Sequence, residues 1–173
     1  WDIAVDSSKN IYVTGYFQNV SIFGAHTLNA GSVSNDARFF IAKYNHSQPY
    51  WEWAYAGIGD AFSSGFQLVL DAAENVYVVG YNTGSVTWNN SFTSSPKGTW
   101  NGFLLKYSSS GSFLWGTAVG ASSSCFGGNC GVYFNNVVID SQQRVVVGGN
   151  QLGHVSYAGK SHTGMGNWDI VVS

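Results

Sequence analysis

One sequence pattern occurs three times in the chain, at 3–15, 68–80 and 137–149. Each copy has an apolar run that ends in Asp, then four residues, then a second apolar run that ends in Gly. The Asp-to-Gly spacing is the same in all copies, from 6 to 15, from 71 to 80 and from 140 to 149. A register kept three times indicates a repeat protein, whose units stack because none can bury a core alone.

Each repeat supplies short apolar segments, which we label A to D in chain order. Segments A and B flank the Asp turn, C ends in Lys-Tyr at 39–44 and 103–107, and D carries Trp at 51–57 and 114–120. Runs of β-branched and aromatic residues bounded by Gly, Ser, Asn and Asp predict strands. No segment has the helical period, so we predict no helix. The third copy stops inside strand C, at 169–173, which gives eleven expected strands.

Four-stranded units at this spacing are typical of β-propeller blades. The nearly continuous apolar B strands fit sheets that are covered on both faces. A β-sandwich is an alternative, but it does not explain the threefold register. We therefore predict an all-β, propeller-like array of four-stranded antiparallel blades, with unit 1 at about 1–57, unit 2 at about 66–120 and an incomplete unit 3 at about 135–173. Propellers usually close with about four to eight blades, so we expect an excerpt of a longer repeat protein.

The segment 3–17, followed by 39–44 and a Trp-bearing strand, resembles the SBBP-type β-propeller repeat. The resemblance covers nearly the whole chain and is most specific in the A–B segments. It implies an extracellular module of large secreted or cell-surface repeat proteins, with no enzymatic activity of its own. The units here are longer than the usual repeat, with extra loop between strands B and C. Unit 3 also has Val-Val-Gly-Gly at 146–149 in place of Tyr-Val-x-Gly.

The composition excludes several classes of protein. Only 9% of residues are charged and the net charge is −2, so no cationic cluster exists that could bind nucleic acid. With 45% hydrophobic and 16% aromatic residues, the chain can bury a core and is not disordered. The sequence contains no apolar stretch long enough to predict a membrane span. The expected partners are therefore other copies or further repeats of the same protein, with glycans as an alternative.

The three repeated aspartates, Asp6, Asp71 and Asp140, are the strongest candidates for a repeated site. Carboxylates at one rim of every blade could bind calcium, but their place in the A–B turn favours a turn-capping role. The histidines lack metal-ligand spacing, and no nucleophile motif occurs. We therefore expect no catalytic residues, no metal and no cofactor.

The cysteines point to an extracellular or cell-surface protein. The loop placement of three sequons agrees with this, although their number is what chance predicts. Cys125 and Cys130 lie close enough in sequence to form a disulfide, which requires an oxidising compartment. Three N-glycosylation sequons begin at Asn19, Asn45 and Asn89, all in predicted loops, and are candidate glycosylation sites if the source is eukaryotic.

The aromatic residues divide into two groups. Those that recur between copies are expected to pack between blades, because each ring buries a large area. Trp100 and Trp168 lie outside that set, beside polar residues, and are candidates for stacking on a sugar ring. The repeated set comprises Phe23, Trp51, Trp53, Trp88 and Trp115.

These observations favour a non-enzymatic extracellular structural or assembly module, part of a surface, fibre or adhesive glycoprotein. The alternative is a lectin-like propeller that binds carbohydrate. We further expect 168–173 to form strand C of the third blade, paired with strand B at 145–149 and lacking its own strand D. Because an apolar edge is normally covered, the missing strand is expected from residues beyond 173 or from a neighbouring subunit.

Overall fold

The computed structural model describes residues 1–31, 37–59, 61–95, 97–123, 130–157, 160–163 and 169–172. These residues form strands and turns and, as predicted, no helix. None of them belongs to a helix long and apolar enough to cross a membrane. The strands are β1 (Asp2–Val5), β2 (Ile11–Phe17), β3 (Val20–Phe23), β4 (His26–Asn29), β5 (Arg38–Asn45), β6 (Tyr50–Gly59), β7 (Ser63–Leu70), β8 (Val76–Asn82), β9 (Val86–Trp88), β10 (Phe92–Ser94), β11 (Asn101–Tyr107), β12 (Phe113–Ser123), β13 (Gly131–Ile139), β14 (Val145–Leu152), β15 (His154–Tyr157), β16 (Lys160–Thr163) and β17 (Asp169–Val172).

The strands that the repeat predicts pair antiparallel in chain order. Strands β1, β2, β5 and β6 form sheet 1, and β7, β8, β11 and β12 form sheet 2. Strands β13, β14 and β17 form sheet 3. Strand β17 pairs with β14, as expected for strand C, but its partners are 148–151 rather than 145–149. The described residues contain no fourth strand in sheet 3.

The segment between strands B and C is a β-hairpin in every repeat, which corrects the expectation of a loop and of eleven strands. The hairpins are β3–β4, β9–β10 and β15–β16. Short alternating runs can pair here because the turns contain residues that accept a positive φ, among them Gly24 at 59° and Asn89 at 51°. Strand β9 also pairs with β6, and β15 pairs with β12. Each of these two hairpins therefore extends the sheet of the preceding repeat.

Three apolar clusters hold the sheets and hairpins together. The first lies between sheets 1 and 2 and the second between sheets 2 and 3. The third lies between sheet 1 and its own hairpin, where Phe23 and Leu28 cover Phe40 and Trp51. Leu68 and Val78 lie on one face of sheet 2, and the equivalent Ile3 and Val13 lie on the same face of sheet 1. We call this the leading face of each sheet. The opposite face is the trailing face.

Candidate functional site

The repeated aspartates cap the A–B turns. Oδ1 of Asp71 accepts the backbone N–H groups of Ala73 and Asn75, each at 2.9 Å, and Oδ2 accepts the Asn75 side-chain amide at 2.9 Å. Asp6 and Asp140 accept the same two backbone N–H groups of their own turns. The turn-capping role favoured by the sequence is thus confirmed. A carboxylate satisfied in this way supports the fold rather than a ligand.

The electrostatics of these turns agree with a structural role. Partial burial raises the pKa of the Asp71 carboxyl, but hydrogen bonds from Asn75, Lys106 and Ala73 outweigh burial, so the pKa lies below its usual value. Hydrogen bonds from the Arg144 backbone and side chain likewise lower the pKa of Asp140. Within the described ranges, no three His, Cys, Asp or Glu residues come together as a metal site.

One repeated position is exposed in sheet 1 but buried in sheets 2 and 3. Leu68 and Val137 begin the apolar part of strand A in repeats 2 and 3, and they are 4% and 2% exposed between two sheets. Ile3 holds the same position in repeat 1 and is 60% exposed. Val5, two residues on, is 58% exposed. The leading face of sheet 1 therefore presents apolar side chains that the other sheets bury.

The hairpins make a second repeated junction. Gly59 of β6 pairs with Val86, and Ala121 of β12 pairs with Val155. Both valines stand six residues after the repeat glycine, so the two junctions share one register. Ser21 holds this position in repeat 1, on β3, which among the described residues pairs with β4 alone. Strand β3 thus has one edge without a strand partner in the part of the chain described.

A third repeated contact lies at the C–D turn. Ser109, in the turn between β11 and β12, accepts hydrogen bonds through its carbonyl from Lys43 Nζ at 2.9 Å and Trp53 Nε1 at 3.3 Å. Lys43 lies 5.4 Å above the ring of Tyr12, which packs edge-on against Trp53. Gly111 of the same turn has a φ of 87° and faces the indole so closely that a Cβ would lie 2.7 Å from it. We call Tyr12, Lys43 and Trp53 the first cradle.

The same arrangement recurs one repeat later. Lys106 lies 4.6 Å from the ring centre of Tyr77, whose ring packs edge-on against Trp115 at 6.0 Å, the separation that Tyr12 and Trp53 have. Lys106 also forms an ion pair with Asp71 at 3.3 Å. Trp115 is 41% exposed, whereas Trp53, covered by the turn of the next repeat, is 4% exposed. We call Tyr77, Lys106 and Trp115 the second cradle.

A line of aromatic side chains runs across the three sheets near the ends of their B strands, and sequence reasoning missed it. Neighbouring rings in this aromatic strip have centroids 4.4 to 6.0 Å apart. Burial, and secondarily the neighbouring Tyr16, raises the pKa of Tyr81. The repeat-equivalent pair Tyr16 and Tyr81 was the signal that could have found it. The strip comprises Trp1, Tyr16, Phe62, Phe66, Tyr81, Trp100 and Tyr133.

The predicted sugar-stacking residues have different outcomes. Trp100 is half-buried at one end of the aromatic strip, 5.2 Å from Tyr133, and its backbone bridges to Gly131. Trp168 lies outside the described residues. Of the repeated aromatics, Trp88 and Trp53 are buried as expected. Trp115 departs from this expectation because the described residues supply no turn that covers it. Phe23 and Trp51 depart from it too, since they pack against each other between sheet 1 and its own hairpin rather than between two sheets.

The candidate glycosylation sites occupy three different settings. Asn19 is exposed in the turn before β3, with a φ of 58°. Asn89 is half-buried in the β9–β10 turn. Asn45 is the last residue of β5 rather than a loop residue, and its side-chain oxygen accepts the backbone N–H of Gln48 at 3.0 Å. Strand β5 extends this far because its register against β6 continues to Tyr50.

The cysteines can be compared with the sequence prediction only in part. Cys130 is buried and disulfide-bonded. Cys125 lies outside the described residues, so its pairing with Cys130 stays a prediction.

Comparison with protein-family models finds no match, and comparison with curated proteins finds none either. The structural contacts therefore carry the functional argument alone. The surfaces that stand out are the leading face of sheet 1, the open edge of β3, the second cradle and the aromatic strip.

Proposed function

We propose that the chain is a non-enzymatic structural module of β-propeller-like blades, of the SBBP repeat type, which stacks on further repeats or other copies. One observation carries the proposal. Leu68 and Val137 are buried between sheets, whereas Ile3, at the same repeat position, is 60% exposed. Burial of apolar surface contributes roughly 25 cal/mol of favourable free energy for each Å² removed from water, so an exposed stacking face favours association.

The hairpin supports the same proposal. On β3, Val20 is 52% and Ile22 is 70% exposed. The equivalent positions of repeats 2 and 3 are polar, with Thr87 and Ser156 in place of Ile22. An apolar strand with one unpaired edge is a surface that proteins normally cover.

The trailing face of sheet 3 supplies a complementary apolar surface. Val138 is 55% exposed there, whereas the equivalent Val69 of sheet 2 packs against the cluster between sheets 2 and 3. Different surfaces at the two ends of an array make a head-to-tail contact, which continues into rings or filaments. This is the expected behaviour of a surface, fibre or adhesive protein.

The cysteine chemistry supports an extracellular compartment. A disulfide-bonded Cys130 is typical of proteins that fold in an oxidising environment. We therefore propose that the module lies outside the cell or at its surface.

Sedimentation equilibrium over a range of concentrations tests the stacking proposal. We expect the average mass of the purified chain to rise above that of the 18.6 kDa protomer as concentration increases. Ile3→Glu should reduce this association, because it places a charge on the stacking face. Leu114→Glu is the matched control, since Leu114 is also exposed but lies in sheet 2, away from the leading face of sheet 1 and the trailing face of sheet 3. A single protomer species at every concentration would count against the proposal.

A second candidate function is glycan binding, and the aromatic strip favours it. Sugar rings stack on exposed aromatic faces, and Tyr16 is 39% and Trp1 73% exposed. A glycan array, followed by tryptophan-fluorescence titration of any hit, tests this candidate. Tyr16→Ala should weaken binding, and Tyr50→Ala, a 48% exposed tyrosine outside the strip, should not. No binding to any neutral or acidic glycan on the array would rule out this candidate function.

A further inference from the structure

The first cradle shows what its three side chains recognise. Lys43 and Trp53 together donate two hydrogen bonds to one backbone carbonyl, that of Ser109. The indole of Trp53 lies against a glycine two residues later, Gly111, whose φ of 87° suits glycine. The bound element is therefore a tight hairpin turn with a free carbonyl and a left-handed glycine.

The second cradle has the same three residue types at equivalent positions. The ring separation between Tyr77 and Trp115 matches that between Tyr12 and Trp53, and Lys106 lies over its tyrosine as Lys43 does. The contacts of Lys106 with Asp71 and with the Tyr77 side chain leave one N–H group for a carbonyl, because an ammonium group has three donors. The exposed indole of Trp115 completes the match.

We propose that the second cradle is a docking site for the C–D turn of a following strand D, which completes sheet 3. This inference rests on the proposed stacking function and names the partner of one surface. The occupant is a hairpin of the chemistry seen at 108–115, with a turn carbonyl and then a left-handed glycine two residues on. The strand after it pairs with the edge of β17 that has no strand partner among the described residues. Continuity with the junction between sheets 1 and 2 supports this occupant over an unrelated ligand.

A chain extension tests the proposal. Val172 pairs with Gly148 as Leu104 pairs with Val79, so one residue, Ser173, remains before the position of Lys106. A copy of residues 106–123 appended after Ser173 therefore continues the register of sheet 2. Fluorine NMR of the fluorotryptophan-labelled chain, with Trp115→Phe to assign the signal, reports whether water still reaches Trp115.

In the extended chain we expect the exposure of Trp115 to fall from 41% towards the 4% of Trp53, seen as loss of the solvent isotope shift of its signal. The matched control is the same extension with the copied glycine of position 111 replaced by Val. Its side chain would collide with the indole, so Trp115 should stay accessible to water.

Hydrogen–deuterium exchange of the appended strand separates two kinds of failure. If the strand is protected but Trp115 stays accessible, the cradle inference is wrong and stacking of repeats stands. If the appended strand is not protected at all, sheet 3 does not accept a further strand, and the inference and the proposed repeat continuation both fail.

Discussion

Sheets 1 and 2 differ in what covers them rather than in what they contain. Ile3 and Leu68 are both large aliphatic residues at one repeat position, yet one is 60% and the other 4% exposed. Sheet 2 has a neighbour on each face, whereas the described residues place only its own hairpin on the leading face of sheet 1. Burial in a repeat array is therefore set by the neighbouring unit.

The two cradles, on the trailing faces of sheets 1 and 2, differ in the same way. Trp53 is covered by the turn at Ser109–Gly111. Trp115 has an equivalent tyrosine and lysine beside it, but no turn among the described residues covers it. Variants at matched positions can therefore measure how much stability each neighbour contributes.

The largest expected difference is between Trp53→Ala and Trp115→Ala. Trp53→Ala should lower the free energy of unfolding by about 3–5 kcal/mol, because it leaves a cavity in a closed junction. Trp115→Ala should cost about 1 kcal/mol or less, because its ring remains partly in water. Urea unfolding followed by circular dichroism measures both. Equal losses would contradict the claim that the turn of the next repeat makes the difference.

A smaller difference is expected at the start of strand A. Leu68→Ala should reduce the free energy of unfolding by about 2–5 kcal/mol, and Ile3→Ala by about 0.5 kcal/mol. Thermal unfolding at low concentration, where protomers are separate, compares the two. A large loss for Ile3→Ala under those conditions would show that its face is already packed.

The repeat predicted strands A to D and the Asp turns because both depend on residues within a few positions of one another. Asp71 and Asn75 form their contacts within one turn, so local sequence determines them. The exposure of Trp115 could not be predicted in this way. It depends on a neighbouring hairpin, which the sequence of its own unit does not contain.

The hairpins were missed for a different reason. Strand β9 has only three residues, too few for a clear alternation, although Asn89 and Asn90 mark the turn that follows it. Its pairing with β6 is a contact between repeats, and no spacing within one repeat reveals it. The aromatic strip could not be predicted for the same reason, because its rings come from all three sheets.

A smaller effect again is expected from Asp71→Asn, which removes the charge but keeps the shape of the turn cap. The folded-state pKa of Asp71 lies below its usual 3.8, so the ionised carboxylate stabilises the fold at neutral pH. The variant should lose about 1 kcal/mol there. That difference should shrink as the pH falls through the lowered pKa. Unfolding titrations from neutral to acidic pH check this, and a difference that grows on acidification would contradict it.

The smallest expected effect concerns the left-handed residue of the A–B turn. Lys9 and Glu74 hold equivalent positions with φ of 67° and 60°. Lys9→Gly should stabilise the chain by about 0.5 kcal/mol, because glycine adopts this conformation without strain. Glu74→Gly should give no gain, because Glu74 accepts hydrogen bonds from Ser7 of the neighbouring turn. Thermal unfolding of the two variants measures the contrast, and an equal gain in both would show that the Ser7 contact contributes nothing.

The most direct test of repeat stacking is to give sheet 1 the neighbour that sheet 2 has. Because Ile3 stands 65 residues before Leu68, placing a copy of residues 1–65 ahead of the whole chain puts the native Ile3 in the position of Leu68. Hydrogen–deuterium exchange of the native β3 amides, Val20–Phe23, is then compared with that of β9. We expect the β3 amides then to exchange as slowly as those of β9. Exchange as fast as in the original chain would contradict it.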